Sequence, residues 1–170
     1  MPDFEFRYLL LGTLAIVLLF AAFTDIRRRQ IDNWLNGAIA AAAPLYWWAS
    51  GLALWPDVAW QIGVAAITLM IFAGLFAMRA MGGGDVKLLT ALALWIEPFW
   101  FVRLLIAMAL IGGALTIVLG AWHVTRRRRD KLAVPYGVAI SSAALWVLAL
   151  QFLPVFTGAA QSGGAGSTGF

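Results

Sequence analysis

Six apolar runs separated by short polar breaks constrain this chain more than any other feature. They are Phe4–Phe23, Trp34–Ser50, Val58–Met78, Leu88–Ile96, Leu104–Trp122 and Tyr136–Val155. A helix crossing a bilayer needs roughly 20 predominantly apolar residues, so 170 residues accommodate about six crossings joined by short loops. Composition agrees. Apolar residues make up 63% of the chain and charged residues only 12%, with a mean hydropathy of +0.88. Soluble domains average about 45–50% apolar and about 25% charged. Disorder and nucleic-acid binding, which need charge that this chain lacks, are excluded as global readings.

The expected fold is all-α: a polytopic membrane protein with six transmembrane helices in one bundle. The expected membrane domain is 1–156, followed by a disordered Gly/Ser/Ala-rich tail over 157–170. The first run carries acidic residues at its head and no small-x-small cleavage site, so it reads as a retained helix. The fourth run is the exception in length. Nine residues rise only about 13–14 Å as a helix, against roughly 30 Å of hydrocarbon. Such a helix is tolerated where its ends are buried in protein or line a wet cavity.

Charge sets the expected orientation. Arg27–Arg29, Arg79, Lys87, Arg126–Arg129 and Lys131 fall in three loops that share one side of a six-span arrangement. These are ten of the twelve basic residues, and only Arg7 and Arg103 lie opposite. The positive-inside rule makes the ten-residue side cytoplasmic and puts the N-terminus outside. Trp47, Trp48, Trp55, Trp60, Trp95 and Trp100 cluster toward the other side, as an interfacial aromatic belt would. The arginine runs are explained by topology, although binding of anionic headgroups would use the same charges.

The chain holds no Cys and one His, which excludes thiolate nucleophiles and Cys- or His-rich metal sites. Chemistry falls to carboxylates, hydroxyls and amines. Ser141-Ser142 has no Gly-x-Ser-x-Gly context and reads as back-bonding or helix packing. His123 reads as an interfacial residue, and Gly112-Gly113 with Gly120 as helix-packing positions. Asp25 and Asp85 stand out because both fall at the same expected membrane face in a chain with eight acidic residues. Singly, Asp25 reads as a solvated interfacial charge or an ion-pair partner of Arg28 or Arg29, and Asp85 as an N-cap that ends a glycine loop. Together, two apposed carboxylates can share one proton, because the first charge opposes the second ionisation. Such a pair can activate water and protonate a leaving amine without metal or cofactor, titrating as a unit.

Three segments resemble a known family. Gly82-Gly83-Gly84-Asp85-Val86-Lys87 is similar to the GxGD signature of the type IV prepilin peptidases, which are membrane aspartic proteases. Thr24-Asp25-Ile26-Arg27-Arg28-Arg29-Gln30-Ile31-Asp32-Asn33 resembles their other catalytic segment, with Asp32 where the family often has Pro. Pro135-Tyr136-Gly137-Val138-Ala139 resembles a third stretch of the Pro-Tyr-Gly-x-Ala kind. The resemblance implies an endopeptidase of the bacterial cytoplasmic (inner) membrane that removes the leader from prepilins or pseudopilins. It implies Asp25 and Asp85 as the catalytic pair, with Gly82, Gly83, Gly84, Lys87, Pro135, Tyr136 and Gly137 as substrate-binding or loop residues. Its implied partners are the membrane-anchored substrate and the bilayer; contact with pilus-assembly machinery stays open, and no nucleic acid, metal or cofactor is expected. Larger family members carry a Cys-rich segment and also N-methylate the trimmed pilin. There is no Cys tetrad and no Rossmann-type G-x-G-x-x-G followed by an acidic residue, so a peptidase without methyltransferase activity is expected, as in the short branch serving tight-adherence (Flp-type) pili. Two alternatives stay open: a GxGD protease cleaving within transmembrane helices, and a non-enzymatic proton- or ion-coupled pilus-assembly subunit.

Overall fold

The computed structural model describes residues 2–125 and 136–164, with side chains over 5–122 and 136–152. Pro135, Arg126–Arg129 and Lys131 lie outside the described residues, as do 165–170 of the tail and the side chain of His123. The described part is all-α. Helices α1 (Pro2–Arg28), α2 (Asn33–Ala49), α3 (Ala59–Ala77), α4 (Gly83–Ala93), α5 (Pro98–Thr125) and α6 (Tyr136–Gly164) follow one another, with a short π-helical turn at Leu54–Val58 before α3. Each helix grows from one apolar run. The breaks are local: Arg29 leaves α1 in the left-handed region at φ 54°, with its N–H returning to the Asp25 carbonyl at 2.8 Å. Arg79 does the same after α3 at φ 60°. Pro98 opens α5 at a first-turn position where its missing N–H costs nothing.

Among the described residues, three helical segments are long and apolar enough to cross a membrane: Glu5–Arg28, Leu54–Ala77 and Pro98–Trp122. At 1.5 Å per residue, the 17 residues of α2 reach about 25 Å and the 11 of α4 about 16 Å.

Helix α4 is short because it is the core. It packs against α2, α3 and α6, and Asp85, Val86, Leu88, Leu89, Ala91, Leu92 and Ala93 are buried along it. Helices α3 and α5 turn long apolar faces outward, with Met70, Leu110 and Ile117 exposed, as lipid-facing helices do. A buried helix must have its end groups satisfied by protein. At the C-terminal end of α4 the Trp47 indole Nε1 donates to the Leu94 carbonyl at 2.7 Å. Trp95 donates to the Ile39 carbonyl at 2.8 Å and stacks on Tyr46 at 5.0 Å. Trp95 is therefore a buried core residue and not a member of the aromatic belt, whereas Trp48, Trp55 and Trp60 are exposed. Ser141 is fully buried, and its Oγ has no hydrogen-bond partner among the described residues, which removes the back-bonding reading and leaves packing. Gly112 gives room to the Tyr136 ring, 3.4 Å from where a Cβ would stand, so the α5–α6 contact is close there.

Candidate active site

Asp25 sits in the last turn of α1 and Asp85 in the first turn of α4, and both carboxylates are buried. They line one recess of about 380 Å³, together with Arg29, Gln30, Ile31, Asp32, Asn33 and Gly82–Gly84. The recess lies between the α1–α2 link and the α3–α4 link, so two segments 60 residues apart in the chain face each other there.

Each aspartate is held by backbone. The Asp25 Oδ2 accepts the Val138 N–H at 3.1 Å, and the Gly137 N–H points at the same carboxylate. These amides belong to the first turn of α6, where N–H groups have no intrahelical acceptor. A carboxylate from α1 thus closes the N-terminus of α6, with the helix dipole favouring it. Gly137 is required by proximity. A Cβ there would lie 2.8 Å from both Asp25 Cγ and Oδ2, and 2.8 Å from Ile31 Cδ1.

Asp85 is not the N-cap of α4. Gly82 holds that position, in extended backbone at φ −73° and ψ 143°, and Asp85 is third in the helix. Its carboxylate reaches back to the Gly82 N–H, the reciprocal half of a capping box. Asp85 lies outside the three long spans. Burial pushes its carboxyl up to about 7, and the charge of Asp25 adds to the push, against the Gly82 N–H that lowers it. A carboxyl moved up to about 7 keeps a proton at pH values where an ordinary aspartate has lost it, so the pair can hold one proton between its two titration steps.

The α1–α2 link is bolted onto the glycine loop. A Cβ on Gly84 would meet the Ile31 Cβ and carbonyl oxygen at 3.2 Å, and the Asn36 Nδ2 donates to the Gly84 carbonyl at 3.1 Å. Asp32, the N-cap of α2, has φ −66°, an angle that proline also imposes. The Asp at this position therefore leaves the backbone shaped as a proline would. Its side chain makes no cap hydrogen bond and faces the recess.

The structure brings Asp25, Asp85, Gly82, Gly83, Gly84 and Gly137 together. Gly83 packs under the Phe76 ring edge. Lys87 stands on the exposed side of α4, where its Nζ donates to Asn33 Oδ1 at 2.7 Å and ties α4 to the start of α2. Tyr136 packs on Gly112 and does not line the recess. Arg29 lines the recess beside Asp25, and Ile31 and Asn36 are contributors that the sequence reading did not single out. Their signal was weak, because an aliphatic and an amide residue after a helix end are ordinary composition.

The family model for the type IV leader peptidase family matches residues 12–122. That is well over half of the chain. The chain belongs to the type IV leader peptidase family. It is a membrane protein and a peptidase of that kind, and the matched stretch contains both aspartates while ending before Tyr136. No curated protein and no solved structure matches the chain.

Proposed function

We propose that this chain is an aspartic endopeptidase of the bacterial cytoplasmic membrane that removes the leader from type IV, Flp-type prepilins or pseudopilins. The six helices form one membrane bundle, with the Asp25–Asp85 recess near the cytoplasmic face and both activities beyond leader cleavage, metal chemistry and methyl transfer, absent from the scheme. The observation that carries the reading is the sharing of one recess by two buried carboxylates, one of them with its proton loss moved to about 7.

The chemistry follows from the pair as a unit. A water between the carboxylates gives a proton to the ionised member as its oxygen attacks the scissile carbonyl carbon. The protonated member hydrogen-bonds the carbonyl oxygen, which carries the developing charge. Collapse of the tetrahedral intermediate breaks the C–N bond, and a dyad proton goes to the leaving nitrogen. The Val138 amide donates to the Asp25 Oδ2 and the Gly137 amide to the same carboxylate, which fixes the carboxylate plane beside the recess. The substrate enters as a membrane-anchored helix whose N-terminal junction unwinds into the recess, because helical amides are already hydrogen-bonded and covered. The glycine loop lets that extended backbone approach.

The test uses purified protein in detergent with a prepilin carrying its leader, and product masses read by mass spectrometry. Wild type cuts at the leader boundary, and Asp25→Asn and Asp85→Asn each lose activity by about a thousandfold or more. Cleavage that survives either change removes that residue from the mechanism. Cleavage within the apolar segment transfers the reading to an intramembrane protease. Folded wild type that cuts no prepilin transfers it to the proton- or ion-coupled subunit.

A further inference from the structure

Arg7 and Asp25 are 18 residues apart on α1, which places the far end of the bundle about 27 Å from the aspartate recess. Trp100 lines a polar cavity of about 430 Å³ at that end, and its ring centroid lies 4.8 Å from the guanidinium of Arg103. Arg103 itself belongs to a different feature. It stands at one end of an apolar groove of about 550 Å³ between α5 and α6, walled farther along α5 by Ile106, Ala107 and Leu110 and on α6 by Trp146 and Leu150. The level of each wall follows from the α5–α6 contact, where Gly112 faces Tyr136 and Ala139. Nine residues back along α5 lies Arg103, and seven to ten forward along α6 lies Trp146, so the two face each other at about the same level.

The mouth of this groove offers donors and no acceptor. Arg103 is exposed, and its guanidinium makes no hydrogen bond or ion pair among the described residues. It lies over the Phe99 and Trp100 rings at 4.6 and 4.8 Å, a stacking that leaves the N–H fork free at its edge. The Trp146 indole N–H has no acceptor among the described residues either, and the residue is 54% exposed. Arg103 also sits inside Pro98–Trp122, which is long and apolar enough to cross a membrane. Five residues past Pro98 is about 7–8 Å along the helix, a depth at which a positive charge needs a counter-charge. Stacking on rings three and four residues earlier turns its head back toward the interface, where phosphate is the anion that a bilayer supplies. Away from the mouth, Arg103 to Leu110 gives about 10 Å of apolar wall. An anion joined to a long apolar chain meets both needs. No carboxylate lines the groove, so the cation of a zwitterionic headgroup gains nothing there and a net negative headgroup is favoured. The shape favours a chain over a protein helix. Two directly packed helices have axes about 8–10 Å apart, and the furrow between them is too narrow to seat a third helix of about 10–12 Å.

We propose that the α5–α6 groove binds an anionic phospholipid, with its phosphate on Arg103 and Trp146 and one acyl chain along Ile106, Ala107 and Leu110. The site rests on the membrane placement of the chain and stands independently of the peptidase reading. Native mass spectrometry of the detergent-purified full chain tests it, with dioleoyl phosphatidylglycerol, dioleoyl phosphatidylcholine and dioleoylglycerol as probes that share their chains. Wild type retains phosphatidylglycerol over the other two, and Arg103→Gln lowers that retention about fivefold, the effect of one basic side chain on an anionic lipid. Dioleoylglycerol, which has no phosphate, is retained alike by both proteins. Lipid drawn by the other basic residues is common to both and cancels in the comparison. Leu110→Trp places a larger ring in the groove and lowers phosphatidylglycerol retention with Arg103 intact. Arg103 and Leu110 are both exposed, so neither substitution opens the core, and equal melting temperatures check this. Phosphatidylglycerol retention unchanged by Arg103→Gln overturns the site, as does equal retention of the three probes by wild type. Retention unchanged by Leu110→Trp overturns the groove as the seat of the chain. Excess soluble glycerol 3-phosphate leaves the lipid adduct in place; displacement would assign Arg103 to a free phosphate and overturn the lipid.

Discussion

The two ends of the bundle carry polar recesses of similar size, about 380 and 430 Å³, built in opposite ways. The aspartate end is made largely of backbone: a glycine N-cap, the free amides of α6 and a link pressed onto Gly84. The far end is walled by long side chains from separate helices, Gln61, Gln151 and Arg7 among them. Backbone construction leaves little slack, since an added methyl group meets main chain or side chains that the main chain holds by hydrogen bonds. Side-chain construction leaves rotamers to choose from. The aspartate end should thus respond sharply to a single carbon atom, and the far end should not.

Gly137→Ala is the strongest way to break that contrast. Its Cβ would lie 2.8 Å from side-chain atoms of Asp25 and Ile31, and the Asp25 carboxylate, bonded to the α6 amides, cannot turn aside without giving up those bonds. Overpacking of this kind costs about 1–3 kcal/mol. Displacing a reacting group by about 1 Å costs about a hundredfold in rate. The expected outcome is a loss of prepilin cleavage by about that factor with a lowered melting temperature. Gly113→Ala, where nothing lies within 4 Å, should keep both. Equal behaviour of the two variants would show that the Asp25–α6 contact does not set the geometry.

Proton linkage separates the ends next. The Asp85 carboxyl titrates near 7 in the fold, above the 3.8 of a free aspartate. Between those values the folded state binds more protons than the unfolded one at this group, so its contribution to stability is fully present below about pH 4 and is lost as pH rises through 7. Asp85→Asn removes that slope. Its melting temperature should match wild type near pH 4 and exceed it at pH 8, as thermal scans at both values would read. Cleavage by wild type should fall on the alkaline side near pH 7, where the pair loses its shared proton. A variant no more stable than wild type at pH 8 would count against the buried placement of Asp85.

These contrasts also explain what could be read in advance. Asp25, Asp85 and the glycines between 82 and 84 are visible in sequence because a backbone-built site restricts residue type at fixed spacing. The helix count is visible because each apolar run grows one helix. The start of α4 at Gly83 was not, since a glycine pair reads as loop until Asp85 is seen closing back on Gly82. Trp95 reads as interfacial by position, and only the packing of α4 against α2 buries it. Gln61 and Gln151 lie 90 residues apart on different helices, with no local pattern to join them. Recesses walled by side chains are silent in a single sequence for that reason.

Trp47→Phe probes the end of α4 away from the aspartates. It keeps the ring and removes the donor to the Leu94 carbonyl, leaving an end group of the core helix unpaired. A loss of about 1–3 kcal/mol is expected in chemical denaturation. Because Leu94 lies at the opposite terminus of α4 from Asp85, the cleavage rate of the folded variant should stay within about twofold of wild type. A much larger fall in rate would mean that α4 transmits its C-terminal packing to the recess, and the two ends would no longer be separable.

The smallest effect, and the finest test, is Asp32→Pro. Asp32 has φ −66° and makes no side-chain cap bond, so proline fits the angle already adopted and removes freedom from the unfolded chain. A gain of about 0.4–1 kcal/mol is expected, with cleavage retained. The gain depends on the α1–α2 link being as fixed as its contacts imply, with Ile31 against Gly84 on one side and Asn36 bonded to the Gly84 carbonyl on the other. A destabilised Asp32→Pro would mean that the link leaves this backbone angle in the working protein, and the account of a recess made rigid by main-chain contacts would have to give way to one in which the link moves with the substrate.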